Sequence, residues 1–252
     1  MRDFVKKDSI VRRIWGNSDT ILFIFAGASA EFALNKSVDW LYFTGRLPAD
    51  PIARLFSTVG YARKIVFSRH DEALIAIDQI TAIHKNVEAS RGANIPDWAY
   101  RDVLYMLIDY SIRAFEALER GLSDQEKAEI FSVFNAVGLR MGIQGLPDSY
   151  PNWKTDREKH LHSDLAYSNL TCDLYKQYRK HLGPLRYEIL KQVQSLICPE
   201  YVIRQLPFKG ISLFPPVLGI YKLFRFCRLD RMIKAIVLPG QYQEQIFALN
   251  AK

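Results

Sequence analysis

Apolar residues in this chain recur at steps of three and four, and nowhere do they alternate with polar ones for more than four residues. A period near 3.6 gathers such residues on one stripe of an α-helix, whereas a strand needs a period of two. Leu74, Ile77, Ile80, His84 and Val87 form one such stripe, and Val103, Leu107, Ile108, Ile112, Phe115 and Leu118 form another. No Asn-Gly hairpin turn interrupts them. The pattern predicts an all-α protein, a single multi-helix globular domain over residues 1–252.

Capping and breaking residues divide the pattern into helices. Ser18 and Asp19 are the predicted caps before the apolar run Ile21 to Phe25, and Pro51 suits the first turn of a helix reaching about Phe67. Asp71 can cap the His84 helix, which Gly92 stops, and Asn94 and Pro96 open the next, which Gly121 closes. Ser123 and Glu126 have the spacing of a capping box, in which hydroxyl and carboxylate satisfy each other's backbone N–H groups. That helix runs towards Gly142. Gly145, Pro147 and Pro151 predict a loop, followed by a helix from about Asp156 to His181, a break at Gly183-Pro184 and a helix from Tyr187 to Ile197. An irregular stretch over Leu206 to Pro216 and a helix from Val217 to about Phe226 complete the reading.

Bulk properties exclude several classes. With 49% hydrophobic residues the chain can build a large core, far from the signature of disorder. Its longest apolar run, Thr20 to Leu34, contains Glu31 and stops short of the ~20 residues a membrane span needs. It reads as a buried core helix. The N-terminal residues MRDFVKKDSIVRRIWG lack the apolar core of a secretory signal, and three widely spaced cysteines make no disulfide framework, so the expected compartment is reducing and cytoplasmic.

The net charge of +7 is concentrated near the C-terminus. Arg204, Lys209, Lys222, Arg225, Arg228, Arg231 and Lys234 face a single acidic residue there, Asp230. Phe208, Leu213, Phe214 and Leu218 lie among them, so peripheral membrane contact through 206–239 is one reading and an ordinary solvated face the other. From Lys222 to Lys234 the basic residues recur every third position, a ridge that winds around a helix and makes a poor one-sided anchor. No nucleic-acid module is present, and nucleic acid is not an expected partner. The sequence leaves the oligomeric state open.

No GxGxxG, Walker loop, GxSxG elbow or HExxH occurs, so any chemistry is carried by dispersed residues. His84 stands on an apolar stripe where Leu or Ile would serve packing better. A buried imidazole must partner both nitrogens, either as a core residue hydrogen-bonded to backbone or with one nitrogen given to a metal. Arg54 and Thr58, four apart, share a helix face. His160 and His162 lie about 200° apart on a helix and cannot share an ion. Both read as surface histidines, like His70 and His181. Asp39, Glu31 and Asp109 border apolar stretches, each a buried base or a salt-bridge partner.

Read in order, these residues resemble a known family. The segment GRLPADPIARLFSTVGYARKIVFSRHDEALIAIDQITAIHKNV (45–87) is similar to the haem domain of the MpaB-like and latex-clearing-protein (rubber oxygenase) family. Arg54-Leu55-Phe56-Ser57-Thr58 and His84-Lys85-Asn86-Val87 occupy the places of its Arg-Leu-x-x-Thr and iron-ligand motifs. Leu122 to Glu126 resembles its capping segment, and Gly142 to Pro147 its Gly-x-x-x-Leu-Pro loop. The likeness spans about residues 15–206, leaving a basic C-terminal extension, 207–252.

The resemblance implies an all-helical fold holding haem b between helices, with iron on His84 and with Arg54, Ser57 and Thr58 in the cofactor pocket. It also implies an oxygenase that brings dioxygen to a small apolar, isoprenoid or lipid-like substrate, with oxidative C=C cleavage as the family's chemistry. Arg54, Thr58 and Asp39 are the expected catalytic residues. The rubber-cleaving branch carries a Lys before the Thr, where this chain has Ser57. Tyr105, Met106 and Ile108 replace the branch's Trp and His, and its Glu is replaced around Phe134 and Asn135. These departures support the alternative of a non-catalytic haem- or lipid-binding helical protein.

Overall fold

The structure is a computed structural model that describes residues 2–45, 49–208 and 219. Its helices are α1 (Ile10–Trp15), α2 (Ser18–Leu34), α3 (Asp39–Phe43), α4 (Pro51–Phe67), α5 (His70–Arg91), α6 (Asp97–Leu118), α7 (Asp124–Met141), α8 (Tyr150–Ser163), α9 (Asn169–Ile197) and α10 (Glu200–Gln205). No strand occurs among the described residues, only the isolated bridges Asp3–Arg69 and Asn35–Leu165.

The apolar run becomes α2, the helix at the centre of the bundle, which packs along α6 and α9. Asn17, one residue earlier than expected, supplies the cap: its Oδ1 accepts from the Asp19 and Thr20 N–H groups at 2.9 and 3.3 Å. A helix apolar on nearly all sides must be covered on all sides, and Ile24, Ala30, Ala33 and Leu34 are wholly buried. Gly27 lets α2 and α6 approach. A Cβ there would lie 2.3 Å from the Tyr110 ring and 3.0 Å from Ile197.

The capping box opens α7 as expected, with Ser123 N–H donating to Glu126 Oε2 at 2.9 Å, and Gly142 ends that helix at φ 78°. Gly92 likewise ends α5 at φ 68°. The Asp71 cap is not used, because α5 starts one residue earlier, at His70, where the Glu72 carboxylate accepts the Arg69 N–H. The expected helix from Asp156 to His181 is two helices. It begins at Tyr150, with Pro151 tolerated in the first turn, and stops at Ser163. The chain then crosses to α2, where Lys36 N–H bonds to Asp164 O and Ala166 N–H to Leu34 O, and Ser168 caps α9. Tertiary pairing with the end of α2 thus overrides local helix propensity. Gly183, at φ 76°, kinks α9 ahead of Pro184.

The stripe on α6 is buried as expected at Ile108, Ile112, Phe115 and Leu118, and the buried face is wider than that stripe. Leu104, Tyr105, Ile108, Ile112 and Phe115 are buried with Asp102 and Asp109, while Val103 is exposed. On α5 only Ala73, Ala76 and Ile77 are fully buried, in a small cluster with Ile65 of α4 and Val137 of α7. The C-terminal half of α5, which carries His84, is only partly covered. No described helix is long and apolar enough to cross a membrane. The expected C-terminal helix and nearly all of the 206–239 stretch lie outside the described residues.

Candidate functional site

Helices α4 and α5 form an antiparallel pair turned at Ser68-Arg69, and this pair brings Arg54 towards His84. The imidazole is half-buried, and its Nδ1 is sealed from solvent with no hydrogen-bond partner among the described residues. Burial lowers the His84 pKa, the Arg54 charge lowers it further, and Glu88, one turn along α5, opposes them. The ring is therefore neutral at pH 7. Tyr100 closes over it edge-on, centroids 5.3 Å apart, with its hydroxyl donating to Glu88 Oε1 at 3.2 Å.

The other expected site residues divide. Arg54 Nη1 donates to Thr58 Oγ1 at 3.1 Å, so the shared helix face is real, and the Thr58 hydroxyl also bonds back to the Arg54 carbonyl. Ser57 is exposed. Asp39, on α3, pairs at 2.6 Å with Arg91, whose guanidinium lies 4.0 Å above the Trp40 ring. It thus reaches the last turn of the His84 helix through Arg91. A ligand to iron must be a neutral imidazole with an available lone pair. Burial and the Arg54 charge disfavour protonation of the His84 ring, which meets the first of these requirements.

Glu31 and Asp109 are buried-pair residues. Arg157 of α8 forks onto Glu31, with Nη1–Oε1 at 2.5 Å and Nη2–Oε2 at 2.6 Å, and reaches Asp109 Oδ2 at 3.1 Å. Tyr110 O–H donates to Glu31 Oε2 at 2.9 Å, and Arg113 Nε to Asp109 Oδ1 at 2.8 Å. Burial disfavours the Arg157 charge, but Glu31 and Asp109 more than offset it and hold its pKa well above the ordinary value. Burial pushes the neighbouring Cys198 thiol up to about 12, which makes it inert.

His160 was expected at the surface and is in the core, at 8% exposure. Its Nδ1 lies 2.5 Å from Asp102 Oδ1 and 2.8 Å from Asp164 Oδ2, and Asn35 donates to the second Asp102 oxygen at 2.6 Å. The i, i+4 spacing of Asp156, His160 and Asp164 was a visible signal. Their burial was not, because α8 is strongly polar and its buried stripe holds only Trp153, Arg157, His160 and Leu161. Beside this cluster an open groove of about 300 Å³ is lined by Gly145, Pro147, Asn152, Thr155, Asp156 and Lys159. Asp156 accepts the Tyr105 hydroxyl at 2.7 Å. His162, by contrast, is exposed, as expected.

The described residues thus form an all-helical bundle in which a half-buried histidine on one helix faces an arginine on the helix paired with it. Residues 13–195 match the family described as the ER-bound oxygenase mpaB/B'/rubber oxygenase catalytic domain, and the chain belongs to that family. Neither the curated proteins nor the solved structures contain a match to the chain.

Proposed function

We propose that this protein is a haem b-dependent oxygenase that acts with dioxygen on a small apolar, isoprenoid or lipid-like molecule, in keeping with the family of its catalytic domain. The observation that carries the reading is the His84 nitrogen, buried without a partner among the described residues, in a ring whose charging is disfavoured by burial. Leaving such a group unsatisfied costs about 1–3 kcal/mol, so a fold that retains it gains something in return. An iron atom is the partner that accounts for both features.

In this reading His84 would hold the iron, and Tyr100, packed edge-on against its ring, would fix the ring's orientation. Arg54 would hold a propionate, and Thr58, whose hydroxyl it contacts, would set the direction of its fork. Asp39, held by Arg91, is the carboxylate available to take or return a proton. Haem iron supplies the activation of dioxygen, and the protein supplies orientation and a dry surround. Oxidative cleavage of a C=C bond is the reaction we assign, by membership of the family.

An absorption spectrum of the purified protein tests the cofactor. A Soret band that shifts with carbon monoxide is the expected result, lost in His84→Ala while the helical circular dichroism remains. A wild-type protein that stays colourless after reconstitution with haem would end this account. Exposed Ser57 in place of a lysine favours a second reading, a haem or lipid carrier without turnover. Stable haem binding with no product across a panel of isoprenoids and unsaturated lipids would establish that one instead.

A further inference from the structure

We propose that Asp102, His160 and Asp164 bind a divalent transition-metal cation, at a site separate from His84 and independent of the haem reading. The three side chains come from two helices and the turn that follows α8. Their ligand atoms lie within 4.8 Å of one another, and Asp102 and His160 are buried. One imidazole nitrogen, two carboxylate oxygens and positions left for water make a donor set suited to Zn²⁺ or Mn²⁺. Asn35, donating to the outer oxygen of Asp102, is the kind of partner that orients a ligating carboxylate.

Charge balance points to a cation. Helices α6 and α8 meet at two buried polar centres, and the two are built differently. At Asp109 and Glu31 the carboxylates face the guanidinium of Arg157, with Arg113 adding a second. Two turns back along α6 and one turn on along α8, Asp102 and Asp164 face a single imidazole, whose other nitrogen lies 3.6 Å from Asp156. Among the described residues no Lys or Arg forms an ion pair with any of these three aspartates. The nearby Lys36 ammonium is spent on the Ser163 carbonyl. Even a doubly protonated imidazole leaves a formal net negative charge among Asp102, Asp156, Asp164 and His160.

Hydrogen count points the same way. Both carboxylates address the same Nδ1, which carries one proton at most. A cation in its place satisfies both oxygens and the nitrogen lone pair together. Ligands ~2.1 Å from a metal stand about 3.0 Å apart in octahedral and about 3.4 Å apart in tetrahedral coordination, so the present 2.5 and 2.8 Å separations open by roughly 0.2–0.9 Å on loading. Asp164, with its side chain 16% exposed, is the route of entry.

Full-length protein stripped with a chelator and titrated with Zn²⁺, then with Mn²⁺, tests the site by calorimetry and elemental analysis. One equivalent bound per chain, with a rise in Tm, is expected for at least one ion. Asp164→Asn should weaken uptake by at least tenfold, and His162→Gln, at an exposed histidine, should leave it unchanged. Broadening of the His160 imidazole NMR signals by Mn²⁺ reads the location in the wild-type protein, whether or not Asp164→Asn folds. Absence of stoichiometric uptake, or broadening confined to other histidines, would overturn the assignment and leave the cluster as an imidazolium held between carboxylates.

Discussion

Arg157 and Glu31 meet through two parallel hydrogen bonds in the centre of the bundle, with side-chain exposures of 5% and 1%. This pair ties α8 to α2, and through Asp109 both are tied to α6. Removing one member of a buried ion pair leaves an uncompensated charge, which typically costs about 3–5 kcal/mol. Arg157→Met strands the Glu31 carboxylate and leaves Asp109 with Arg113 alone. Urea unfolding should show a loss of that size, whereas Arg113→Met, on the partly exposed guanidinium, should lose far less. Equal losses would show that the bidentate geometry is unimportant.

Gly27 gives a second stability test, because its missing side chain is filled by Tyr110. Gly27→Ala overpacks the α2–α6 contact and is expected to cost roughly 1–3 kcal/mol. Helix propensity alone predicts a gain of about 1 kcal/mol for the same change. The sign of the shift in Tm therefore decides which effect governs the centre of the bundle.

His84 makes stability depend on pH in a stated direction. Its folded pKa lies below the ordinary 6.5, because of burial and Arg54. As pH falls through 6.5 the unfolded chain takes the proton first, so stability present above that pH is lost below it. Haem-free His84→Leu should unfold with a flatter dependence between pH 7 and 5. It should also be more stable than haem-free wild type, since the unsatisfied nitrogen is gone. A haem-free wild-type protein as stable at pH 5 as at pH 7 would contradict the burial.

Glu126 acts at lower pH. The Arg120 fork and then the Ser123 N–H hold its carboxyl near 2, below the usual 4.5. Stability from this capping box is complete above about 4.5 and lost as pH falls towards 2. The ion pair lies at the surface, where solvent screens it, so the effect is small and is best read as the NMR titration midpoint of Glu126. Ser123→Ala should raise that midpoint and cost about 1 kcal/mol at neutral pH.

Helix type, the capping box at Ser123, the stop at Gly92, the buried helix over Thr20 to Leu34 and membership of the oxygenase family were all legible in the chain. Each depends on neighbours within about one turn or on motif order, which the sequence displays directly. The break after Ser163 and the burial of His160 were not legible. They depend on Asn35 and Asp102, which are remote in the chain and adjacent only in space. The same holds for Glu31 and Asp109: sequence left them as bases or salt-bridge partners, and only the arrival of Arg157 decided between the two. Propensity and pattern are local, so the sequence by itself determined which segments are helices. Charge compensation is set by distance in space, so the tertiary structure alone decided which polar groups are paired, which are crowded around one imidazole, and which, like the His84 nitrogen, are left without a partner.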